Sequence, residues 1–341
     1  MSLISAPRVE GTIRVREGRK LGFAEFGPLR GRPFVWLHGT PGGRRQIPEA
    51  ARIAAGELGI RLVGIDRPGV GLSTPHLYDS ILDFTPDLEI VFDQLGLDQV
   101  AMIGLSGGGP YALAAGHAFP TRVAAVGVLG GVVPTQGDDA VPGGLVGLFA
   151  RIGPILPPLR VPLSLVLSAF VRIVRPVMSP GFDLYARFSP EGDRRVFGRP
   201  EIKAMFLDDL IGNSRRGLQA PVYDLILFTR PWGFSLSGIR VPVWWWHGDA
   251  DHIVPLAQAR QVVPRIPAAG LTTRPGESHL GGLDAAKEVL AKLLALWDDG
   301  IDGSLLAPAA DKRSPAPKWA ARDRARSGKA EFGSSPTVRS P

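Results

Sequence analysis

The sequence predicts an α/β protein: a mostly parallel central sheet flanked by helices and interrupted by an inserted helical cap. Three observations lead there. Short apolar β-like runs alternate with helix-like stretches through the first 134 residues. Between 135 and 238 that rhythm gives way to proline-interrupted apolar segments such as Val161–Val171 and Met205–Ile211. From 239 to 300 the alternation resumes, so the insertion divides one sheet and does not form a separate module. Of 341 residues, 45% are hydrophobic and 21% charged, which excludes wholesale disorder and fibrous architectures.

In chain order, Phe34–Leu37 reads as a short buried strand running into His38-Gly39-Thr40-Pro41-Gly42-Gly43. Arg44–Leu58 reads as a helix, and Arg61–Ile65 as a strand ending at Asp66-Arg67-Pro68-Gly69-Val70-Gly71-Leu72-Ser73. A helix over Pro86–Leu95 leads to strand Gln99–Gly104, which enters Leu105-Ser106-Gly107-Gly108-Gly109 directly. Pro110–Ala118 is then a helix, because the first helical turn has no N–H bond for proline to break. Val123–Leu129 is a further strand. After the insertion come strand Val241–Trp246, helix Pro255–Pro264, strand Leu271–Arg274 and helix Leu283–Trp297.

The net charge is +7, but eight Lys or Arg against four acids in residues 301–341 supply +4 of it. That segment is rich in Pro, Ser and Ala and reads as a disordered basic tail. A solvated extension is the plain reading; nucleic acid or an anionic membrane is the alternative partner. The remaining body is nearly balanced, so no nucleic acid is expected from the core. With no cysteine, disulfides, thiolate metal sites and a cysteine nucleophile are excluded. Met1–Lys20 carries no apolar signal-peptide core, and no uncharged apolar run reaches the roughly 18–20 residues that span a bilayer. The expectation is a cytoplasmic protein with no transmembrane segment, its oligomeric state left open.

The chemistry concentrates at three strand ends. Gly104-Leu105-Ser106-Gly107-Gly108 has the pattern G-x-S-x-G between a strand and a helix. A serine on so tight a turn is held exposed, and the helix start behind it offers N–H groups and positive dipole to an oxyanion. Serine needs a base, and the base an orienting acid. Strand Val241–Trp246 ends in His247-Gly248-Asp249-Ala250-Asp251-His252, at the carboxyl end of the sheet where α/β proteins bind ligands. After the next strand comes Glu277-Ser278-His279. His279 is the expected base and Asp251 the preferred acid, with Asp249 as the alternative acid. His252 adjoins Asp251 too closely in sequence to be oriented by it. His38 is assigned to loop packing.

Together these motifs resemble the α/β-hydrolase superfamily, over about residues 10–134 and 239–299. The family's nucleophile, acid and histidine fall on Ser106, Asp251 and His279. Its H-G-x-P loop falls on His38-Gly39-Thr40-Pro41, which implies an oxyanion hole from the backbone N–H groups of Thr40 and Gly107. Asp66–Ser73 looks like its D-x-x-G-x-G-x-S loop, and residues 135–238 sit where members carry a helical cap. The resemblance implies a serine hydrolase working through a covalent acyl-enzyme without metal or organic cofactor. A small-molecule carboxylic ester with an apolar portion is the expected substrate. C–C bond hydrolases, thioesterases and cofactor-free perhydrolases share the triad, and a non-catalytic binding module is the rival of another class. Proline iminopeptidases are similar but carry H-G-G-P-G and G-G-S-W-G, where this chain has Thr40, Leu105 and Gly107, so an aminopeptidase is the less favoured reading.

Within the cap, Phe149, Phe170, Phe182 and Phe188 are expected mainly to form its own core. Arg172, Arg175, Arg194 and Arg195 are expected to be solvated, and Trp244-Trp245-Trp246 to pack into the two helix layers.

Overall fold

The computed structural model describes residues 3–189, 191–213 and 219–301, so the expected basic tail lies outside the described residues apart from Ile301. The strands are β1 Val9–Arg14, β2 Lys20–Phe26, β3 Arg32–Leu37, β4 Ile60–Ile65, β5 Val100–Leu105, β6 Val123–Leu129, β7 Val243–Gly248 and β8 Ala269–Arg274. They form one sheet in the order β1-β2-β4-β3-β5-β6-β7-β8. From β4 to β8 all neighbours are parallel; β1–β2 and β2–β4 are antiparallel.

Helices α1 Glu49–Glu57, α2 Thr85–Leu95 and α3 Gly109–Ala118 precede the insertion. The insertion holds α4 Gly144–Ala150, α5 Leu156–Val174, α6 Met178–Phe188, α7 Glu191–Phe197, α8 Pro200–Asn213 and α9 Ala220–Phe228. Helices α10 Leu256–Val262 and α11 Ala286–Ile301 complete the core. Strand alternation sorts the apolar side chains into two layers. Phe34, Trp36, Ala101 and Ile103 join α1 and α11 on one face, while Val35, Leu37, Val100 and Met102 join α2 and α3 on the other. Buried on both faces, the central strands read as continuous apolar runs. The three tryptophans divide as expected, with Trp245 in the second layer and Trp246 in the first, where Trp244 packs half-buried.

Two differences from the sequence reading have local causes. The β1–β2 hairpin escapes it because β1 is a mostly uncovered edge, and because β2 buries Glu25, whose carboxylate takes Arg61 Nη2 at 2.6 Å. Helix α1 begins at Glu49, not at Arg44, because residues 44–48 are pulled into a loop. There the Arg44 N–H donates to Asp66 Oδ1 at 2.7 Å, and Pro48 stands at the helix entry.

The cap also departs from expectation. Phe170 and Phe188 lie outside its core, 59% and 79% exposed. By length and composition, the helical stretch Leu156–Phe188 is apolar enough to cross a membrane, and little of its most apolar part is buried.

Candidate active site

Strand β5 delivers Ser106 into a 3-10 turn that continues as α3. Ser106 has φ +50°, a left-handed conformation that costs a serine about 1–3 kcal/mol and that the surrounding packing must hold. Gly104 is required by contact: a Cβ there would come within 2.5 Å of the Gly108 carbonyl oxygen. At Gly107 a Cβ would lie 2.3 Å from Thr40 Oγ1, so the loop after β3 packs directly on the turn.

Ser106 Oγ lies 2.8 Å from His279 Nε2, and His279 Nδ1 lies 2.8 Å from Asp251 Oδ2. All three are buried. Asp251 Oδ1 accepts the N–H groups of Ile253 and Val254 at 2.8 and 2.9 Å. Burial alone would push its carboxyl up, but hydrogen bonds from His247 and His279, the charge of His279 and the Val254 N–H outweigh this and hold it well below the usual carboxylate range. An ionised Asp251 can only accept, so His279 Nδ1 carries the proton and Nε2 faces the serine hydroxyl as acceptor. Asp249 is not part of this chain: it is exposed, and its Oδ1 accepts the Gly276 N–H at 2.8 Å. His252 is exposed as well. His38 is buried in the loop, with Nδ1 on the Gly39 carbonyl and Nε2 accepting the Arg67 N–H; burial and then the Arg67 charge keep it neutral.

Above Ser106 and His279 opens a cavity of about 320 Å³. Its floor includes Thr40 and Leu105, and its roof is apolar: Phe182 and Tyr185 from α6, Phe197 from α7, Phe206 and Leu210 from α8. Phe182 is thus the one of the four phenylalanines singled out in the sequence that faces the cavity. One acid, Asp209 on α8, also lines it and is 3% exposed.

Residues 32–286 match the family described as alpha/beta hydrolase fold. The chain belongs to this family. Among curated proteins, this chain is 34% identical to a proline iminopeptidase of Xanthomonas citri over 131 residues, 34% of this chain and 40% of that one. It is 30% identical to a proline iminopeptidase of Neisseria meningitidis over 154 residues, 44% of this chain and 49% of the other. The chain therefore spans less than half the length of either relative. Among solved structures, the bromoperoxidase of Bacillus anthracis aligns with a TM-score of 0.60 at 23% identity, covering 84% of this chain and 99% of its own. An esterase from Rhodococcus aligns at 0.58 and 19%, covering 84% and 99%. At such identities the likeness is one of fold.

Two groups of buried residues were not singled out from the sequence. The first is His247, whose Nε2 lies 3.2 Å from Asp251 Oδ2 and 2.6 Å from the Val254 carbonyl oxygen. Its Nδ1 accepts the Trp245 indole N–H at 3.1 Å, which places the imidazole proton on Nε2, shared between the Val254 carbonyl and the more distant acid. The second is a cluster under the loop after β3. Arg67, 1% exposed, donates to the His38 carbonyl, to the Gly39 carbonyl at 3.0 Å and to Thr40 Oγ1 at 2.9 Å. Its counter-charge is Asp224 on α9, at 2.6 Å, which also accepts Thr40 Oγ1–H at 2.6 Å and Tyr111 O–H at 2.7 Å. The signal for Asp224 is local: a lone acid within the apolar helix Ala-Pro-Val-Tyr-Asp-Leu-Ile-Leu-Phe.

Two predictions follow from these environments. Asp224→Ala strands the Arg67 guanidinium without a counter-charge and lowers stability by about 3–5 kcal/mol in urea unfolding. For Asp251, the folded carboxyl lies below its unfolded value, so the unfolded state binds more protons and stability rises with pH. Its contribution is complete above about pH 4 and is lost as pH falls toward the lower folded value. Acid unfolding of Asp251→Asn, followed beside wild type, should show a flatter pH dependence in that window.

Proposed function

We propose that this hydrolase cleaves a small carboxylic ester through a covalent acyl-enzyme on Ser106. The observation that carries the reading is the continuous hydrogen-bonded chain from Asp251 through His279 to Ser106 Oγ, opening into an apolar cavity. His279 Nε2 accepts the hydroxyl proton as Ser106 Oγ bonds to the substrate carbonyl carbon. Asp251, held ionised, keeps the imidazole in its tautomer and stabilises the imidazolium. The backbone N–H groups of Thr40 and Gly107 receive the oxyanion, each worth about 3 kcal/mol to the transition state. The imidazolium then protonates the departing alkoxide. Water, deprotonated by His279, releases the acid and restores Ser106. The apolar roof of α6, α7 and α8 suits a hydrocarbon acyl or alkyl group.

A second reading, aminopeptidase, has two supports. The curated relatives are proline iminopeptidases, and the buried Asp209 carboxylate on the cavity wall has the sign that suits a substrate ammonium group. Against it stand Thr40, Leu105 and Gly107, which depart from the motifs of those enzymes at the loop and the elbow.

A fluorophosphonate should add once to the intact protein and not to Ser106→Ala, with ester turnover in that variant down about a thousandfold or more at unchanged fold. A folded protein that takes no label sinks the acyl-enzyme and favours a binding module. Turnover of p-nitrophenyl esters should exceed that of a prolyl arylamide. The reverse order, with KM for the arylamide raised by Asp209→Asn, transfers the assignment to the peptidase.

A further inference from the structure

Helices α4, α5 and α6 turn apolar side chains outward on a scale that the cap's own packing does not use. Along α5 the spacing of Leu159, Leu163, Val166, Phe170 and Ile173 alternates four and three residues, placing all five on one line of the helix. All are exposed, Ile173 at 77%. The inner face of α5 is already occupied: Leu156 packs on Val222 and Ile226, and Val171 on Val70 and Ala220. Leu148 on α4 and Leu184 and Phe188 on α6 are also more than half exposed. So broad an apolar face on a folded chain marks an interaction surface.

The charge distribution selects the occupant. From Gly144 to Ser189 there are five arginines, Arg151, Arg160, Arg172, Arg175 and Arg187, and one acid, Asp183. All five arginines are exposed, and Asp183 is paired with Lys203 at 2.6 Å. A second copy meeting this face about a two-fold axis would set the same positive surface against itself, with no acid to answer it. The chain's own segment 302–341 carries the same sign, eight basic residues against four acids. Aliphatic and aromatic side chains interspersed with arginines, whose long stems reach past an apolar layer to its polar boundary, fit an anionic lipid surface.

We propose that the outer face of α4, α5 and α6 docks flat on anionic membranes. The helices lie on the lipid and do not cross it. Phe182 of α6 packs edge-on against Phe197, with ring centroids 5.1 Å apart, and lines the cavity, so drawing α6 into a bilayer would dismantle the site. Tyr185 is 57% exposed and also lines the cavity, which brings the cavity rim to the docking face. On the reading of that cavity as the substrate site, an apolar substrate passes from lipid to Ser106 without crossing water; the docking itself does not depend on that reading.

The test is co-sedimentation of the full-length chain with vesicles of phosphatidylcholine, alone or mixed with phosphatidylglycerol. Wild type should sediment with the mixed vesicles, less so as salt rises. Phe170→Asp with Ile173→Asp should weaken that binding about tenfold or more, at unchanged thermal unfolding. Arg172→Glu with Arg175→Glu should abolish the preference for phosphatidylglycerol, and this pair decides the matter if the first variant does not fold. Wild type that stays in the supernatant overturns the proposal. So does binding unaffected by the substitutions, which would assign it to the basic segment 302–341. A concentration-dependent dimer broken by Phe170→Asp, without vesicle binding, overturns it in favour of a second copy.

Discussion

A guanidinium enclosed among backbone carbonyls is tolerable only where a carboxylate meets it, and for Arg67 that carboxylate comes from the cap. Asp224 stands 157 residues further along the chain. Because Arg67 holds the carbonyls of His38 and Gly39 and the hydroxyl of Thr40, the ion pair fixes the loop that packs on the Ser106 turn. Tyr111, on the helix that follows the serine, closes the same cluster from below. The loops after β3 and β4, helix α3 and the cap therefore meet at one buried charge pair. The cap is part of the site's construction and not only its cover.

A parallel dependence runs through β7. Trp245 packs in the core, yet its indole N–H also sets the proton position of His247. That imidazole then supports Asp251 beside His279. A side chain whose burial looks like packing alone is thus four polar contacts from the serine. Outer contacts of this kind orient the inner groups they hold, as they do in metal sites.

The parallel strands and the strand-end residues were legible in the sequence because doubly buried strands are continuous apolar runs and each ends in a short polar turn. Choosing Asp251 over Asp249 was harder, since both stand at the same strand end; the turn at Gly276, which takes up Asp249, separates them. The β1–β2 hairpin was not legible, because an exposed edge with a buried glutamate lacks the alternation that marks a strand. Nor were the cap's faces. Hydropathy gives Phe170, Phe182 and Phe188 one value, whereas three-dimensional packing sends Phe182 to the cavity and the other two to the surface. Asp224 needed its distant partner before its role could be read.

The sheet distributes the reactive groups unevenly. Ser106 follows β5, every residue of which is buried at the centre of the sheet, whereas His279 follows β8, an edge strand half-covered along its whole length. Edge elements open at lower free energy than central ones. Ser106 therefore follows a fully buried central strand and His279 a half-covered edge strand. On the proposed mechanism, partial melting at the margin would separate the two while the turn at Ser106 stayed folded, and the loss would be undone when the margin closed again. On that mechanism, catalytic lifetime under stress is set by the edge of the sheet, not by its core.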